Sequence, residues 1–292
     1  MKIALIVFSG TGNTLYVSKL LSKELQILGA IVHIITLGLK PKEVQEAQIF
    51  REKIAEYDMF GLAFPVLGFG APANVLAFAD TLPLGCKKAF LFKSAADNHQ
   101  VNNAASEELQ SILRQKGYDV FHDFLYMMPS NFMVGYPKAL NFQMIDKAKV
   151  KASAHAKEIM SSTRVQLPIS KIWHFIATLV HYLESHYGRQ HFSKSLVTTL
   201  ECNFCQTCIK NCPVGNIAQE ENRVKFHQKC LFCMRCIYHC PTHAIETKKY
   251  NWCIIKEGYN LQEYLNFEDN DRVFITPKSR GFWKHFRHYF YD

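Results

Sequence analysis

Apolar residues gather in five short runs through the first 160 positions, at residues 3–8, 31–36, 59–64, 89–92 and 120–127. Runs this short and continuous suit strands covered on both faces, because neither face has to meet water. Between them the apolar spacing lengthens to a helical one, over residues 15–28, 73–82, 107–116 and 148–160. Leu20, Leu21, Leu25 and Leu28 form the expected core stripe of the first helix, and Gly29 is placed to stop it. Strand and helix in alternation predict an α/β fold, a doubly wound parallel sheet with helices on both faces. Five strands in this length fit a five-stranded sheet better than a six-stranded dinucleotide fold.

The pattern changes after Arg164. Behind Pro168, residues Ile169, Ile172, Phe175, Ile176, Leu179, Val180 and Leu183 recur at helical spacing. This predicts an amphipathic bridging helix over residues 164–195, its apolar face expected to dock between two domains rather than on a membrane surface. His174, His181, His186 and His191 on this segment read as polar-face or interfacial residues rather than metal ligands. The last segment, residues 257–292, is basic and aromatic (Lys278, Arg280, Trp283, Lys284, Phe286, Arg287, Tyr289) and is expected to pack against the body.

Between these segments lies an internal repeat. Cys202, Cys205, Cys208 and Cys212 read CNFCQTCIKNCP, and Cys230, Cys233, Cys236 and Cys240 read CLFCMRCIYHCP. Each cysteine of the second block stands 28 positions after its counterpart, as do Pro241 after Pro213 and Ile245 after Ile217. Both blocks are C-x2-C-x2-C-x3-C-P, a spacing for cubane iron–sulfur clusters and not the paired knuckles of structural zinc. Three cysteines two residues apart wrap one cube, and the loop is too short to bring the fourth round to the same cube. The fourth therefore crosses over. One [4Fe–4S] cluster is assigned to Cys202, Cys205, Cys208 and Cys240, the other to Cys230, Cys233, Cys236 and Cys212. Short-loop amides are expected to donate to the sulfurs, with Phe204, Phe232, Ile209 and Ile237 excluding water. Cys86 and Cys253 fall outside the repeat and are expected to be buried, inert thiols. Residues 196–256, with all eight ligands present, resemble a bacterial-type two-cluster ferredoxin, a small α+β domain.

The other motif opens the chain. After the first strand come Ser9, Gly10, Thr11, Gly12, Asn13 and Thr14, followed directly by a helix. Hydroxyls, close-approaching amides and a helix N-terminus together suit a phosphate monoester. There is no Walker lysine and no G-x-G-x-x-G. The motif [ST]-x-T-G-x-T makes residues 1–163 resemble flavodoxins, which implies FMN held in this loop. The resemblance also implies that two further loops flank the flavin ring. Here these are residues 65–71, offering Pro65, Gly68, Phe69 and Gly70, and residues 94–100, offering Ser94, Asn98 and His99. The second departs from the family, having no Trp or Tyr to stack.

Composition then narrows the picture. At 292 residues and 48% hydrophobic, the chain can bury two cores. No apolar run reaches the roughly 18 residues of a spanning helix, and the opening residues are too quickly glycine-rich for a secretory signal, so a cytoplasmic protein is expected. Ten cysteines then point to metal or redox chemistry instead of disulfides. The formal charge of +9 would fall to about +3 with two clusters and an FMN phosphate bound. The basic excess thus offsets cofactors and gives no reason to expect nucleic acid. As a whole the chain resembles fusions of a flavodoxin-like domain to a two-cluster ferredoxin, known from anaerobes. That resemblance implies an electron-transfer iron–sulfur flavoprotein serving a redox protein partner. The alternative is a flavin-dependent reductase of a small acceptor such as a quinone or corrinoid.

Overall fold

A computed structural model describes residues 1–265 and 273–291 of the chain. The five apolar runs pair, all parallel, in the order β2-β1-β3-β4-β5. They are β1 (Lys2–Val7), β2 (Ile31–Thr36), β3 (Met59–Pro65), β4 (Lys88–Ala95) and β5 (Asp119–Met127). This is the flavodoxin-like order, and its reversal beside β1 opens a crevice at the carboxyl ends of β1 and β3. One face of the sheet is covered by α1 (Asn13–Ile27) and α5 (Lys138–Met160) through Val17, Leu21, Leu25, Ile145, Ala148 and Ala152. The other is covered by α2 (Pro41–Glu52), α3 (Ala73–Asp80) and α4 (Glu107–Gln115) through Phe50, Val75, Phe78, Leu109 and Leu113.

Several expectations shift. The helix α2 was not legible as an apolar stripe, since only Ala47 and Phe50 are buried. Its start is marked chemically, by Pro41 and by Glu43, whose carboxylate accepts the Lys40 N–H at 3.1 Å. The helix α5 begins ten residues earlier than its apolar period suggested, directly after Pro137. In α1 the core side is Val17, Leu21 and Leu25, while Leu28 lies past the last turn and is exposed. Gly29 does stop that helix, at φ +86°.

Residues 164–170 are extended rather than helical. Val165 donates its N–H to the Phe121 carbonyl at 3.1 Å and accepts from Asp123 N–H at 3.0 Å, which lengthens the sheet edge beside β5. The helix α6 (Lys171–Leu183) follows, then a π-turn over Glu184–Gly188 and α7 (Arg189–Ser195). The helix α6 rests on the flavodoxin-like domain. Trp173 meets His99 edge-on at 4.4 Å, His174 pairs with Glu107 at 2.6 Å, and His181 lies against the Gly68 carbonyl. Ile172, Phe175, Leu179 and Leu183 are exposed, so this apolar face does not dock the two domains together as expected. The inner side is already filled by Ala177 and the polar anchors.

The cysteine-rich region holds two antiparallel pairs, β6 (Leu196–Thr198) with β9 (Ile245–Thr247) and β7 (Ile217–Glu220) with β8 (Arg223–Phe226). Each cysteine triplet leads into a short helix, α8 (Thr207–Asn211) or α9 (Arg235–Tyr238). The repeat is visible in the backbone, where Phe204 and Gln206 share left-handed φ angles with Phe232 and Met234. Beyond this region the chain returns to the first domain. Tyr259 and Leu261, the latter opening α10 (Leu261–Leu265), join the core beside α1. Phe286, Tyr289 and Phe290 of α11 (Phe286–Tyr291) pack on Met127, Leu140 and Met144, so the tail is held against the body as expected. Residues 266–272 and 292 of that segment lie outside the described residues.

Candidate cofactor sites

At the carboxyl edge of the sheet lies a cavity of about 490 Å³, within the range of cofactor sites. Its floor is the loop between β1 and α1. Gly12 at φ +106° turns the chain into the helix, a conformation that other residues resist. The Ser9 Oγ is buried with no hydrogen-bond partner. The Thr14 Oγ1 lies 2.8 Å from Ser94 Oγ, and Thr11 Oγ1 accepts from Asn131 Nδ2 at 2.6 Å. Asn13 reaches the cavity, and its side-chain amide is spent on bracing the loop. Its Nδ2 donates to the Pro129 carbonyl at 2.9 Å, and its Oδ1 accepts from the Tyr259 hydroxyl. An orphaned buried hydroxyl, two further hydroxyls and the N-terminus of a 15-residue helix fit a phosphate group.

Of the sequence-derived candidates, Ser9, Gly10, Thr11, Asn13, Thr14, Pro65, Gly68, Phe69 and Ser94 reach the cavity wall. Three stand behind it. Gly12 backs onto Leu261, and Gly70 lies so close under His181 that a Cβ would overlap its ring. Asn98 is not on the wall, and its neighbour His99 turns towards Trp173. Asp97 and Asn102 take that place, joined by an Asn102 Nδ2 to Asp97 Oδ1 hydrogen bond of 2.8 Å.

The wall also holds residues that the sequence reading missed: Pro129 to Met133 after β5, Val180 and Glu184 of the α6 segment, and Phe232, Cys233 and Met234. The loop after β5 was open to discovery, since it too leaves the carboxyl end of a strand. Phe132 and Phe232 meet edge-on at 5.1 Å, supplying the aromatic surface that the 94–100 loop lacks. Glu184 is held by Arg189, whose Nε donates to both carboxylate oxygens at 2.9 and 2.8 Å.

The eight repeat cysteines line two smaller cavities by fours. Cys202, Cys205, Cys208 and Cys240 surround one, with Ile209 and Ile245. Cys230, Cys233, Cys236 and Cys212 surround the other, with Ile217 and Ile237. Each block thus sends its fourth cysteine across to the other's triplet. Main-chain amides point at sulfur at repeat-related positions, Asn216 N to Cys212 Sγ at 3.2 Å and Ala244 N to Cys240 Sγ at 3.3 Å. Burial pushes the Cys230 thiol up to about 12 and raises Cys233 and Cys236 as well. The thiolate forms of this set therefore need positive charge beside them, which iron would supply. Cys205 is exposed, and the Thr207 hydroxyl lowers its pKa. Cys253 is buried as expected. Cys86 is not: it is exposed in the turn before β4, where no core residue covers it.

The two regions meet at the phosphate loop. Arg235, between two cysteines of the second block, donates from Nε to the Gly10 carbonyl at 3.1 Å and from Nη2 to the Ser9 carbonyl. Its Nη1 donates to the Asn211 carbonyl at 3.1 Å, and its guanidinium lies over the Phe8 ring at 5.7 Å. The Cys233 carbonyl approaches Gly10 so closely that a Cβ there would stand 2.5 Å from it.

Residues 195–241 match the family described as the 4Fe-4S dicluster domain, a span that contains all eight repeat cysteines. No curated protein matches the chain. Among solved structures, a flavodoxin from Streptococcus pneumoniae TIGR4 is 15% identical, covering 56% of this chain and all of its own at a TM-score of 0.40. A two-electron reduced Megasphaera elsdenii flavodoxin is 20% identical over 53% of this chain and 98% of its own, TM-score 0.36. An NAD(P)H:quinone oxidoreductase from Methanothermobacter marburgensis is 13% identical over 55% and 98%, TM-score 0.41. The flavodoxin-like assignment rests on this chain's own strand order.

Proposed function

We propose that the chain is an electron-transfer iron–sulfur flavoprotein, with FMN in the large cavity and a [4Fe–4S] cluster in each cysteine-lined one. Ser9, Thr11, Thr14 and the α1 N-terminus would hold the phosphate, and Pro65, Gly68, Phe69 and Ser94 would flank the ring. Cys202, Cys205, Cys208 and Cys240 would hold one cluster, and Cys230, Cys233, Cys236 and Cys212 the other. Such clusters pass single electrons, whereas FMN holds one or two, so the pair interconverts the two kinds of traffic.

The observation that carries this reading is the shared wall. Cys233, a proposed cluster ligand, and its neighbours Phe232 and Met234 face the same cavity as Ser9 and Thr14. The chain's own part is to hold these walls together through Arg235 and to keep water out with Phe132, Phe232 and Met234. Electrons would enter from a redox protein at the exposed side of the ferredoxin-like region, where Cys205 and Phe204 reach solvent.

Anaerobically purified protein should carry about eight iron and eight labile sulfide per chain, with one FMN. Thr11→Glu should expel FMN by charge repulsion and leave the iron content unchanged. Wild-type protein that takes up no FMN on reconstitution would defeat the flavin half of this reading, and stoichiometric zinc in place of iron the other half.

A further inference from the structure

Behind β9 the chain runs back from the cysteine region to the phosphate loop. The Cys253 carbonyl accepts from the Met133 N–H, in the loop after β5, at 3.0 Å. Ile255 donates its N–H to the Tyr238 hydroxyl of α9 at 3.0 Å, and the Tyr238 and Tyr259 rings lie 5.8 Å apart. Leu261 packs against Gly12, where a Cβ would stand 3.5 Å from its Cδ2. Tyr259 and Leu261 are each 6% exposed, so this stretch ends in the core.

The Tyr259 hydroxyl meets Asn13, and the direction of that bond is fixed by Pro129. A carbonyl only accepts, so Asn13 Nδ2 must face the Pro129 oxygen, at 2.9 Å. Its Oδ1 is thereby turned to Tyr259, which is the donor. Burial, and then the nearby Tyr264, raises the Tyr259 pKa, so the hydroxyl keeps this proton. Pro129 opens the loop that carries Asn131, whose Nδ2 donates to Thr11 Oγ1 at 2.6 Å. That hydroxyl accepts from Asn131 and still carries a proton to donate. One relay runs from Tyr259 through Asn13 and residues 129–131 to Thr11.

Asn13 is also the first residue of α1. The Tyr16 amide donates to the Gly12 carbonyl at 2.9 Å, whereas the amides of Asn13, Thr14 and Leu15 precede the intrahelical ladder. An asparagine side chain near a helix start can itself accept from such amides. Pinned between Pro129 and Tyr259, this one does not. We propose that Tyr259 is the positioning residue of the phosphate subsite. By holding Asn13 it leaves the first α1 amides and the Thr11 hydroxyl to a phosphate monoester. The proposal rests on the reading of FMN in the large cavity. It adds that the subsite is not complete within residues 1–163, because its brace arrives from beyond the cysteine region.

Fluorescence titration of full-length, iron-loaded, flavin-stripped protein tests it, with FMN and with riboflavin, which lacks the phosphate. Wild type should prefer FMN about a hundredfold or more, since several hydrogen bonds to a charged group are at stake. Tyr259→Phe leaves Asn13 Oδ1 without its donor and should cut this preference about tenfold. FMN affinity should fall while riboflavin affinity, iron content and circular dichroism do not. Asn13→Ala should lower the preference as far, and adding Tyr259→Phe to it should cost nothing more, because the tyrosine acts through Asn13. An equal loss of affinity for both flavins would make Tyr259 ordinary core packing and overturn the proposal. So would an unchanged preference in both single variants, or losses that add in the double variant. Should Tyr259→Phe fail to take up iron, Asn13→Ala decides alone, and an unchanged preference there overturns the proposal. Wild type that binds neither flavin would defeat the FMN reading, and this proposal with it.

Discussion

Gly10 and Arg235 show how single residues join the two halves of the molecule. A methyl group on Gly10 would press on the Cys233 carbonyl, and a main-chain oxygen cannot rotate away as a side chain can. Gly10→Ala should therefore loosen the contact between the phosphate loop and the cysteine loop. Arg235→Met removes the donors to Ser9, Gly10 and Asn211 while keeping an apolar stem over Phe8. Hydrogen bonds from a charged donor contribute roughly 1.5–3 kcal/mol each, so either variant should weaken FMN binding by about tenfold or more. Fluorescence titration reads this, and unchanged iron content shows that the clusters persist. FMN affinity unchanged in both variants would mean that the two halves do not support each other. Ser9, Thr11 and Thr14 were legible in the sequence because their chemistry is local. Arg235 was not, because between two cysteines it registered only as spacing, and its partners in the phosphate loop, Ser9 and Gly10, lie more than 220 positions away.

At the level of elements, the pairing of α5 with β5 carries a pH dependence. His155 of α5 packs on Phe124 with ring centroids 4.0 Å apart, and its Nδ1 lies 3.0 Å from the Tyr126 hydroxyl. Burial holds the Tyr126 hydroxyl protonated well above its ordinary range, so it donates to a neutral imidazole. Burial first, then the nearby His122 and Lys151, lowers His155 from 6.5 to about 3. The unfolded chain therefore binds a proton that the native chain does not between these two values. Stability is full above the unfolded pKa and falls as pH drops through that window. Going from pH 7 to pH 5 should cost about 2 kcal/mol from this residue. His155→Gln should shrink the wild-type difference between urea-unfolding stabilities at pH 7 and pH 5 by a similar amount. An unaltered difference would show that His155 already titrates normally in the native state. Element existence was legible wherever burial was two-sided, as in β1, β3, β4 and β5, and in the edge strand β2 the apolar run alone was enough although Ile31 and His33 are exposed. The orientation of α6 was not, because Trp173 and Ala177 on the inner side are as apolar as Ile172 and Phe175 outside, and periodicity alone cannot say which stripe faces water.

For the whole molecule, the repeat of 28 residues and the strand–helix alternation were enough to expect two regions, but not how they share a site. Contacts made by Phe232, Cys233 and Met234 on a cavity opened by β1 and β3 join positions far apart in sequence, and no local spacing records them. That arrangement orders the two cysteine sets. The set with Cys233 touches the large cavity, whereas the other is enclosed wholly by residues 198–245. Under the proposed function the set with Cys202 would be the outer station and the set with Cys233 the inner one. Crossing of the fourth cysteines gives a test that separates sequence neighbourhood from spatial neighbourhood. Cys240→Ala should alter the outer set although Cys240 belongs to the second block, and Cys212→Ala should alter the inner set although it belongs to the first. With a small photochemical donor that reduces either station directly, Cys240→Ala should leave bleaching of the bound flavin nearly as fast as in wild type, while Cys212→Ala should slow it strongly. With a ferredoxin-sized protein donor docking where Cys205 and Phe204 reach solvent, both variants should slow it. If Cys240→Ala slowed the small-donor reaction and Cys212→Ala did not, the order of the stations would be reversed. If both did equally, the two sets would act as one unit.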